Sequence, residues 1–205
     1  MSGVVAQPMP PLAALPMDEP TPRRWTREEY YRMGELGWFH GQRVELIEGE
    51  IVVLSPQKAE HYSRAYRIAE LLHDAFAIGH PVRLQGPIDF GPLSEPEPDV
   101  AVVVGTWEQY ATHHPRTAVL IVEVSETSLT YDRTRKASLY ARAGIADYWI
   151  VNLVNNQVEV HRSPRPDPSQ FYGHGYTSVT VLVPPAVVNP LAAPQVSLAV
   201  ADLLP

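Results

Sequence analysis

The sequence contains no cysteine, which excludes a disulfide scaffold and a thiolate metal site. Any metal would therefore be bound by oxygen or imidazole ligands. The sequence also lacks an apolar run long enough to cross a membrane and a positively charged leader at its start. We therefore expect a soluble, cytoplasmic protein with no membrane partner.

Positive charge is scarce as well. The formal net charge is −7, and the 16 basic residues include two lysines, Lys58 and Lys136. The overall field of such a protein does not attract polyanions, which argues against broad, sequence-blind binding of nucleic acid. A local basic patch is still compatible with this charge.

Proline is concentrated at the N-terminus, where residues 1–24 contain six prolines and no aromatic residue. This composition predicts a disordered arm. The remaining residues, 25–205, are enough for one sizeable core, and the chain is 45% hydrophobic. We therefore expect a single α/β or α+β domain after the arm.

Apolar periodicity and turn residues predict an alternation of helices and strands. A capping box at Thr26 and Glu29 opens the first helix, and Asp132 is expected to cap a later one. The predicted helices are 26–33, 57–78 and 133–143. The predicted strands are 43–47 and 50–55 as a hairpin, then 82–90, 99–104 and 118–125, a second hairpin 147–153 and 157–162, and 176–183.

The apolar run AVLIVEVSE at 118–126 contains one carboxylate, Glu123. A buried charge is costly unless a cation or hydrogen-bond donors compensate it. Asp99 begins the neighbouring apolar strand, so the two carboxylates could converge on one Mg²⁺ or Mn²⁺ ion. Alternatively, Asp99 caps its strand and Glu123 meets an arginine.

Several motifs occur in a recognisable order: VELIEGEIVVLSP at 44–56, EPDVAVV at 97–103, LIVEVSETS at 120–128, Asp132 with Lys136, and LYARAGIADYWIVN at 139–152. The series resembles the PD-(D/E)xK nuclease superfamily and, within it, the Uma-two family of putative restriction-endonuclease-like proteins. The resemblance covers about residues 25–204. It implies a restriction-endonuclease-like mixed β-sheet flanked by helices, with an N-terminal β-hairpin, and metal-dependent hydrolysis of phosphodiester bonds.

The resemblance also implies roles for individual residues. Asp99 and Glu123 match the metal-binding pair, and Glu45 matches a third acidic position. His61 matches a position on the family's helix. The alternative for Glu45 is an exposed carboxylate on an edge strand, and the alternative for His61 is a structural, hydrogen-bonded residue.

The sequence departs from the superfamily motif at Ser125, where the motif has lysine two residues after the glutamate. Lys136, which the family pattern also marks, is the candidate replacement. The alternative is an ordinary helix ion pair with Asp132. Three arginines on or near this helix could contact the nucleic-acid backbone, or could simply form a solvated helix face: Arg133, Arg135 and Arg142.

Together, these features predict a metal-dependent endonuclease that acts on nucleic acid, expected to be DNA, with Mg²⁺ or Mn²⁺ as cofactor. Because cutting both strands of a duplex asks for two active sites, we also expect a homodimer. Two alternatives remain open: a catalytically inert module that binds nucleic acid or protein, and a metal-dependent hydrolase of a small phosphate ester.

Overall fold

A six-stranded mixed sheet organises the computed structural model, which describes residues 21–76 and 79–205. Most of the predicted arm, and the last two residues of predicted helix 57–78, lie outside the described residues. In chain order the elements are α1 (Arg27–Glu35), β1 (Arg43–Ile47), β2 (Glu50–Leu54), α2 (Ala59–Ala75), β3 (Val82–Leu84), β4 (Val100–Val102), a 3-10 turn (Glu108–Tyr110), β5 (Leu120–Ser125), α3 (Leu129–Tyr131), a π-helical turn (Asp132–Lys136), α4 (Ala137–Arg142), β6 (Asp147–Asn152), β7 (Gln157–Pro166), β8 (His174–Leu182), β9 (Val187–Val188), β10 (Leu198–Ala199) and α5 (Val200–Leu203).

The strand order in the main sheet is β3-β4-β5-β6-β7-β8. The central pair β5–β6 is parallel, and the other neighbouring pairs are antiparallel. A parallel pair needs a crossover connection, and here α3, the π-helical turn and α4 provide it. The crossover therefore carries Lys136 over the face of the sheet beside β5.

Both faces of the central strands are covered, which explains their continuous apolar sequences. On one face α2 and α5 pack against the sheet, with Ile68 and Leu72 in the same buried cluster as Val122 and Val124. On the other face, residues of α4 and the N-terminal hairpin share a buried cluster with Ile121. The predicted mixed α/β fold of a sheet flanked by helices is confirmed.

The N-terminal hairpin is also present, with strands close to those predicted. Glu48 and Gly49 form its turn, both with positive φ (53° and 76°), as a tight hairpin turn with strand-matching twist requires. A side chain at Gly49 would also collide with Arg24, since its Cβ would lie 2.5 Å from Arg24 Cβ. The turn therefore needs glycine both for its φ and for the chain packed against it.

The capping box at Thr26 is confirmed, although α1 runs on to Glu35. The predicted helix 133–143 is wrong at its start, because the helix begins at Leu129 and Asp132 lies inside it rather than capping it. The backbone N–H of Ala137 donates to the carbonyl of Asp132, five residues earlier, which defines the π-helical turn. No periodicity in the sequence signals this insertion.

Strand lengths differ most from prediction at the edges of the sheet. The predicted strand 82–90 ends at Leu84 because Gln85 adopts a positive φ of 50°. The long hairpin of β7 and β8 extends to Pro166 and back from His174. Throughout the ranges that the structure describes, no helix is long and apolar enough to span a membrane.

Candidate active site

A cleft of about 360 Å³ opens between β2, the start of α2 and the end of β5. Its lining includes all five residues that the sequence marked as catalytic or metal-binding: Glu45, His61, Asp99, Glu123 and Lys136. These residues come from the hairpin, α2, the position just before β4, β5 and the π-helical turn. The fold thus brings together side chains that are up to 91 positions apart in the chain.

Asp99 and Glu123 meet because β4 and β5 pair antiparallel. The register Val100↔Val122, extended by one residue, places Asp99 opposite Glu123. The backbone N–H of Asp99 donates to Glu123 Oε2 at 3.2 Å, and that of Val124 donates to Asp99 Oδ2 at 2.9 Å. Both carboxylates are buried, so their position is fixed by the sheet itself.

Lys136 lies between two carboxylates at the floor of the cleft. Its Nζ donates to Glu45 Oε1 at 2.9 Å and to Glu123 Oε1 at 3.1 Å. The hydroxyl of Tyr140 also donates to Glu123 Oε1, at 2.6 Å. We refer to Glu45, Asp99, Glu123 and Lys136 as the carboxylate–lysine cluster. Lysine therefore reaches the glutamate from the neighbouring helix although the strand itself carries serine.

The alternative of a simple Asp132–Lys136 helix pair is not what the structure shows. Asp132 Oδ2 accepts hydrogen bonds from the hydroxyls of Ser125 and Ser128, both at 2.6 Å. Burial raises the pKa of Asp132, although these two hydrogen bonds oppose the rise. Ser125, at the position of the motif's lysine, thus fixes the crossover helix to β5.

The cluster carries more negative than positive charge. The pKa of Glu123 is raised to about 8, mainly by burial; Lys136 opposes the rise, and Asp99, Asp132 and Glu45 add to it. Burial disfavours the ammonium of Lys136, but the surrounding carboxylates outweigh this and raise its pKa well above the usual value. One lysine is therefore not enough to satisfy the carboxylates around it.

Glu45 is fully buried, so the alternative of an exposed carboxylate on an edge strand is wrong. Its Oε1 accepts from Lys136 and from the backbone N–H of Glu97, at 2.9 Å each. Its Oε2 is buried without any hydrogen-bond partner. An unpartnered carboxylate oxygen in a cleft that is also lined by Asp99 and Glu123 fits the oxygen ligands that Mg²⁺ and Mn²⁺ prefer.

A ready-made set of three metal ligands is nevertheless not found in residues 21–76 and 79–205. Lys136 Nζ stands between Glu45 and Glu123, in the space where a shared cation would bind. Binding a divalent cation to both glutamates would therefore require the ammonium group to move aside.

His61 contacts the cluster through Asp99. Its Nε2 lies 2.9 Å from Asp99 Oδ1, and the ring is partly buried at the edge of the cleft. This hydrogen bond raises the pKa of His61, against the effect of burial. A protonated ring at this place would hold Asp99 in position.

The three arginines predicted to contact a nucleic-acid backbone are each paired with a carboxylate. Arg133 pairs with Glu159, Arg135 with Glu50 and Arg142 with Glu48. A phosphate would have to compete with these partners, and the role of the arginines stays a prediction.

Two contributors to the site were missed by sequence reasoning. Tyr140 lies four residues after Lys136 in an apolar helical pattern, which is also typical of a core residue. Glu97 contributes a backbone N–H to Glu45, and no side-chain pattern signals a backbone donor. Lys136 and Tyr140 are four residues apart and therefore lie on one helix face, and this spacing was the one sequence signal that Tyr140 could belong to the site.

Comparisons with known proteins identify the family and the fold. The model of the Uma2 (Uma-two) family, described as "putative restriction endonuclease", matches residues 27–201. A solved structure of a putative nuclease belonging to DUF820 from Anabaena variabilis is similar, with a TM-score of 0.58 and 18% sequence identity over 79% of this chain and 89% of that one. At that identity the likeness shows the fold alone. A comparison with curated proteins found no match.

Proposed function

This chain belongs to the Uma2 family of putative restriction endonucleases, and we propose that it is a metal-dependent endonuclease that hydrolyses phosphodiester bonds in DNA. The family supports a nuclease function in general, and with it a nucleic-acid substrate. The metal dependence and the choice of DNA are our proposals.

One observation carries the proposal: Glu45 and Glu123 converge on Lys136, and Asp99 lies beside Glu123, at the floor of an open cleft. Three carboxylates and one ammonium leave a net negative site that a divalent cation would neutralise. Buried charges that serve stability alone are normally matched by partners. The unpartnered Oε2 of Glu45 is the atom that most clearly lacks one.

Asp99, Glu123 and Glu45 would hold one or two Mg²⁺ ions. When bound, Mg²⁺ would acidify a water molecule and neutralise charge that develops on the phosphate. The chain's own contribution is orientation: backbone N–H groups of β4 and β5 fix one oxygen of Asp99 and one of Glu123. The other oxygen of Asp99 is hydrogen-bonded to His61. The other oxygen of Glu123 accepts hydrogen bonds from Lys136 and Tyr140.

Lys136, moved aside from between Glu45 and Glu123, would supply a positive charge that faces the phosphate in the transition state. Ion pairs with Glu45 and Glu123 hold the ammonium of Lys136 at the floor of the cleft, and these carboxylates raise its pKa and keep it protonated. His61 would position Asp99 and keep a proton at the edge of the cleft.

The direct test is electrophoresis of supercoiled, linear and single-stranded DNA, and of RNA, after incubation with Mg²⁺ or Mn²⁺ and again with chelator. We expect wild type to cut DNA with metal and not with chelator. Asp99→Asn should not cut. Glu70→Gln, which changes a half-exposed carboxylate on α2, is the matched control and should cut like wild type.

The other outcomes separate the alternatives. Retardation of DNA without cutting would favour the inert binding module, although a phosphate would have to compete with the carboxylates paired to all three arginines. Metal-dependent hydrolysis of a chromogenic phosphate diester, with nucleic acid left intact, would favour the small-substrate hydrolase. Cutting by Asp99→Asn at the wild-type rate would contradict the proposed site.

A further inference from the structure

The last strand of the main sheet, β8, presents an unprotected edge. Residues 177–181, TSVTV, are all exposed, and Val179 and Val181 keep 52% and 53% of their surface accessible. In the described part of the chain, the backbone of these residues hydrogen-bonds to β7 alone. Their outward-facing N–H and C=O groups are therefore free to pair with another strand.

The opposite edge of the same sheet is different. β3 has three residues, carries Arg83 in its middle and lies against α2. Short length, charge and cover are the ways in which natural proteins prevent edge-to-edge pairing. β8 has nine residues and contains no Asp, Glu, Lys, Arg or Pro, so none of the usual protections is present in its sequence.

The composition of this edge favours pairing. TSVTVLV at 177–183 is rich in β-branched residues and uncharged, without glycine or proline, a composition with a strong tendency to add strands. An exposed segment of this kind is a hazard unless a partner covers it. The absence of charge also argues against a different protein as the partner, because a strand of another protein would commonly be selected by complementary charge.

We propose that residues 177–181 of β8 pair antiparallel with the same strand of a second copy of this chain, joining two six-stranded sheets across a two-fold axis. In such a pair each residue near the axis faces its own copy. A charged residue there would meet an identical charge, so an uncharged strand is what a two-fold pair requires. This inference does not depend on the nuclease assignment.

The first experiment is light scattering of the purified full-length chain and of Val179→Lys. Wild type should show twice the chain mass of 22.8 kDa, and the variant should show the single mass with unchanged circular dichroism. Val154→Lys is the matched control, since Val154 is 58% exposed in the turn between β6 and β7. That control should stay dimeric.

The second experiment uses the absence of cysteine. Single cysteines at Thr177, Ser178, Val179, Thr180 and Val181 are oxidised in turn, and disulfide-linked dimer is quantified on denaturing gels. A two-fold antiparallel pair predicts one maximum at the residue nearest the axis and a decline on both sides. Val154→Cys should not cross-link above background.

Three results would overturn the proposal: a monomeric wild type, a Val179→Lys variant as dimeric as wild type, or uniform cross-linking at all five positions. If removal of residues 1–20 converts a monomer into a dimer with the predicted cross-linking pattern, the N-terminal segment normally covers β8. That result would also overturn pairing in the native chain.

Discussion

Two glutamates in one row of the sheet have opposite surroundings. Glu123 on β5 is paired in register with Ile150 on β6, and Ile150 is paired with Glu159 on β7. The two carboxylates therefore lie on the same face, with one strand between them. Both are buried, and both lie between valines in the sequence.

Glu159 is fully compensated. Arg133 donates to both of its oxygens, and Asn152 and Gln157 donate to Oε1. Burial would raise the pKa of Glu159, but these hydrogen bonds and the nearby ring of His161 hold it well below its usual value. Glu159 is ionised at neutral pH and has its partners already.

Glu123 is compensated much less, because other carboxylates share its lysine. Its pKa is raised to about 8, in the direction opposite to that of Glu159. Burial raises the pKa of both residues and is the largest cause at Glu123, whereas at Glu159 the hydrogen-bond donors outweigh it. A perturbed carboxylate that opens onto a cleft is the kind found at functional sites, whereas Glu159 is a structural ion pair.

The largest effect is expected when the one lysine of the cluster is removed. Lys136→Met keeps the volume of the side chain but leaves Glu45 and Glu123 buried without their cation, which should cost about 3 kcal/mol of unfolding free energy in metal-free buffer. It should also abolish cleavage. Urea titration measures the first effect and the plasmid assay the second.

Lys58→Met is the matched control, because Lys58 forms an exposed pair with Glu126 and should cost at most about 1 kcal/mol. Equal losses in the two variants would mean that Lys136 contributes no more than a surface ion pair.

The second expected effect is stabilisation by metal. Mn²⁺ at about 100 times its dissociation constant would add about 2.7 kcal/mol to the native state by mass action, or several degrees in melting temperature. Asp99→Ala should lose this shift, whereas Glu159→Gln should keep it. If the Mn²⁺-induced shift in melting temperature disappears in Glu159→Gln, the cation binds at Glu159 and not at the proposed site.

The sequence predicted the meeting of Asp99 and Glu123 for a sound physical reason. Both belong to short apolar strands, and antiparallel neighbours bring opposite residues together. The position of Lys136 came from the family resemblance, and the structure brings its ammonium to Glu123. That these residues act in catalysis stays a prediction.

The rest of the site depends on contacts that no local pattern encodes. The segments IVEVS and QVEVH do not tell a functional glutamate from a structural one, because the difference lies in Arg133 and Asn152 on one side and in Glu45 and Asp99 on the other. The π-helical turn is equally hidden, since its residues Asp132–Lys136 fit an ordinary helix. Both the difference between the two glutamates and the π-helical turn therefore depend on contacts between residues that are distant in the sequence.

A third prediction compares the two glutamates directly. Glu159→Gln leaves Arg133 without its carboxylate and weakens hydrogen bonds to Asn152, so we expect a loss of about 2 kcal/mol. Glu123→Gln relieves repulsion between carboxylates and should change stability in chelator by less than about 1 kcal/mol, or increase it. A larger loss for Glu123→Gln than for Glu159→Gln in urea titrations would reverse the comparison.

The smallest effect is the pH dependence of the stability difference between wild type and each glutamine variant. The pKa shifts of the two glutamates have opposite directions, so the two pH dependences differ. The pKa of Glu159 is lowered from 4.5 in the native state, so its contribution is complete above about pH 4.5 and is lost on acidification. The pKa of Glu123 is raised from 4.5 to about 8, so the native state retains a proton that the unfolded state releases, and stability falls between these values.

Glu123→Gln lacks this titration, so the stability of wild type relative to Glu123→Gln should fall from pH 5 to pH 8 in chelator. Over the same range, the difference in stability between wild type and Glu159→Gln should stay constant. It should shrink only below about pH 4.5. His61, whose pKa is also raised, titrates in all three proteins and largely cancels when differences are taken. Parallel pH profiles for both variants would show that the two carboxylates are equally compensated, and the distinction between a structural and a functional glutamate would fail.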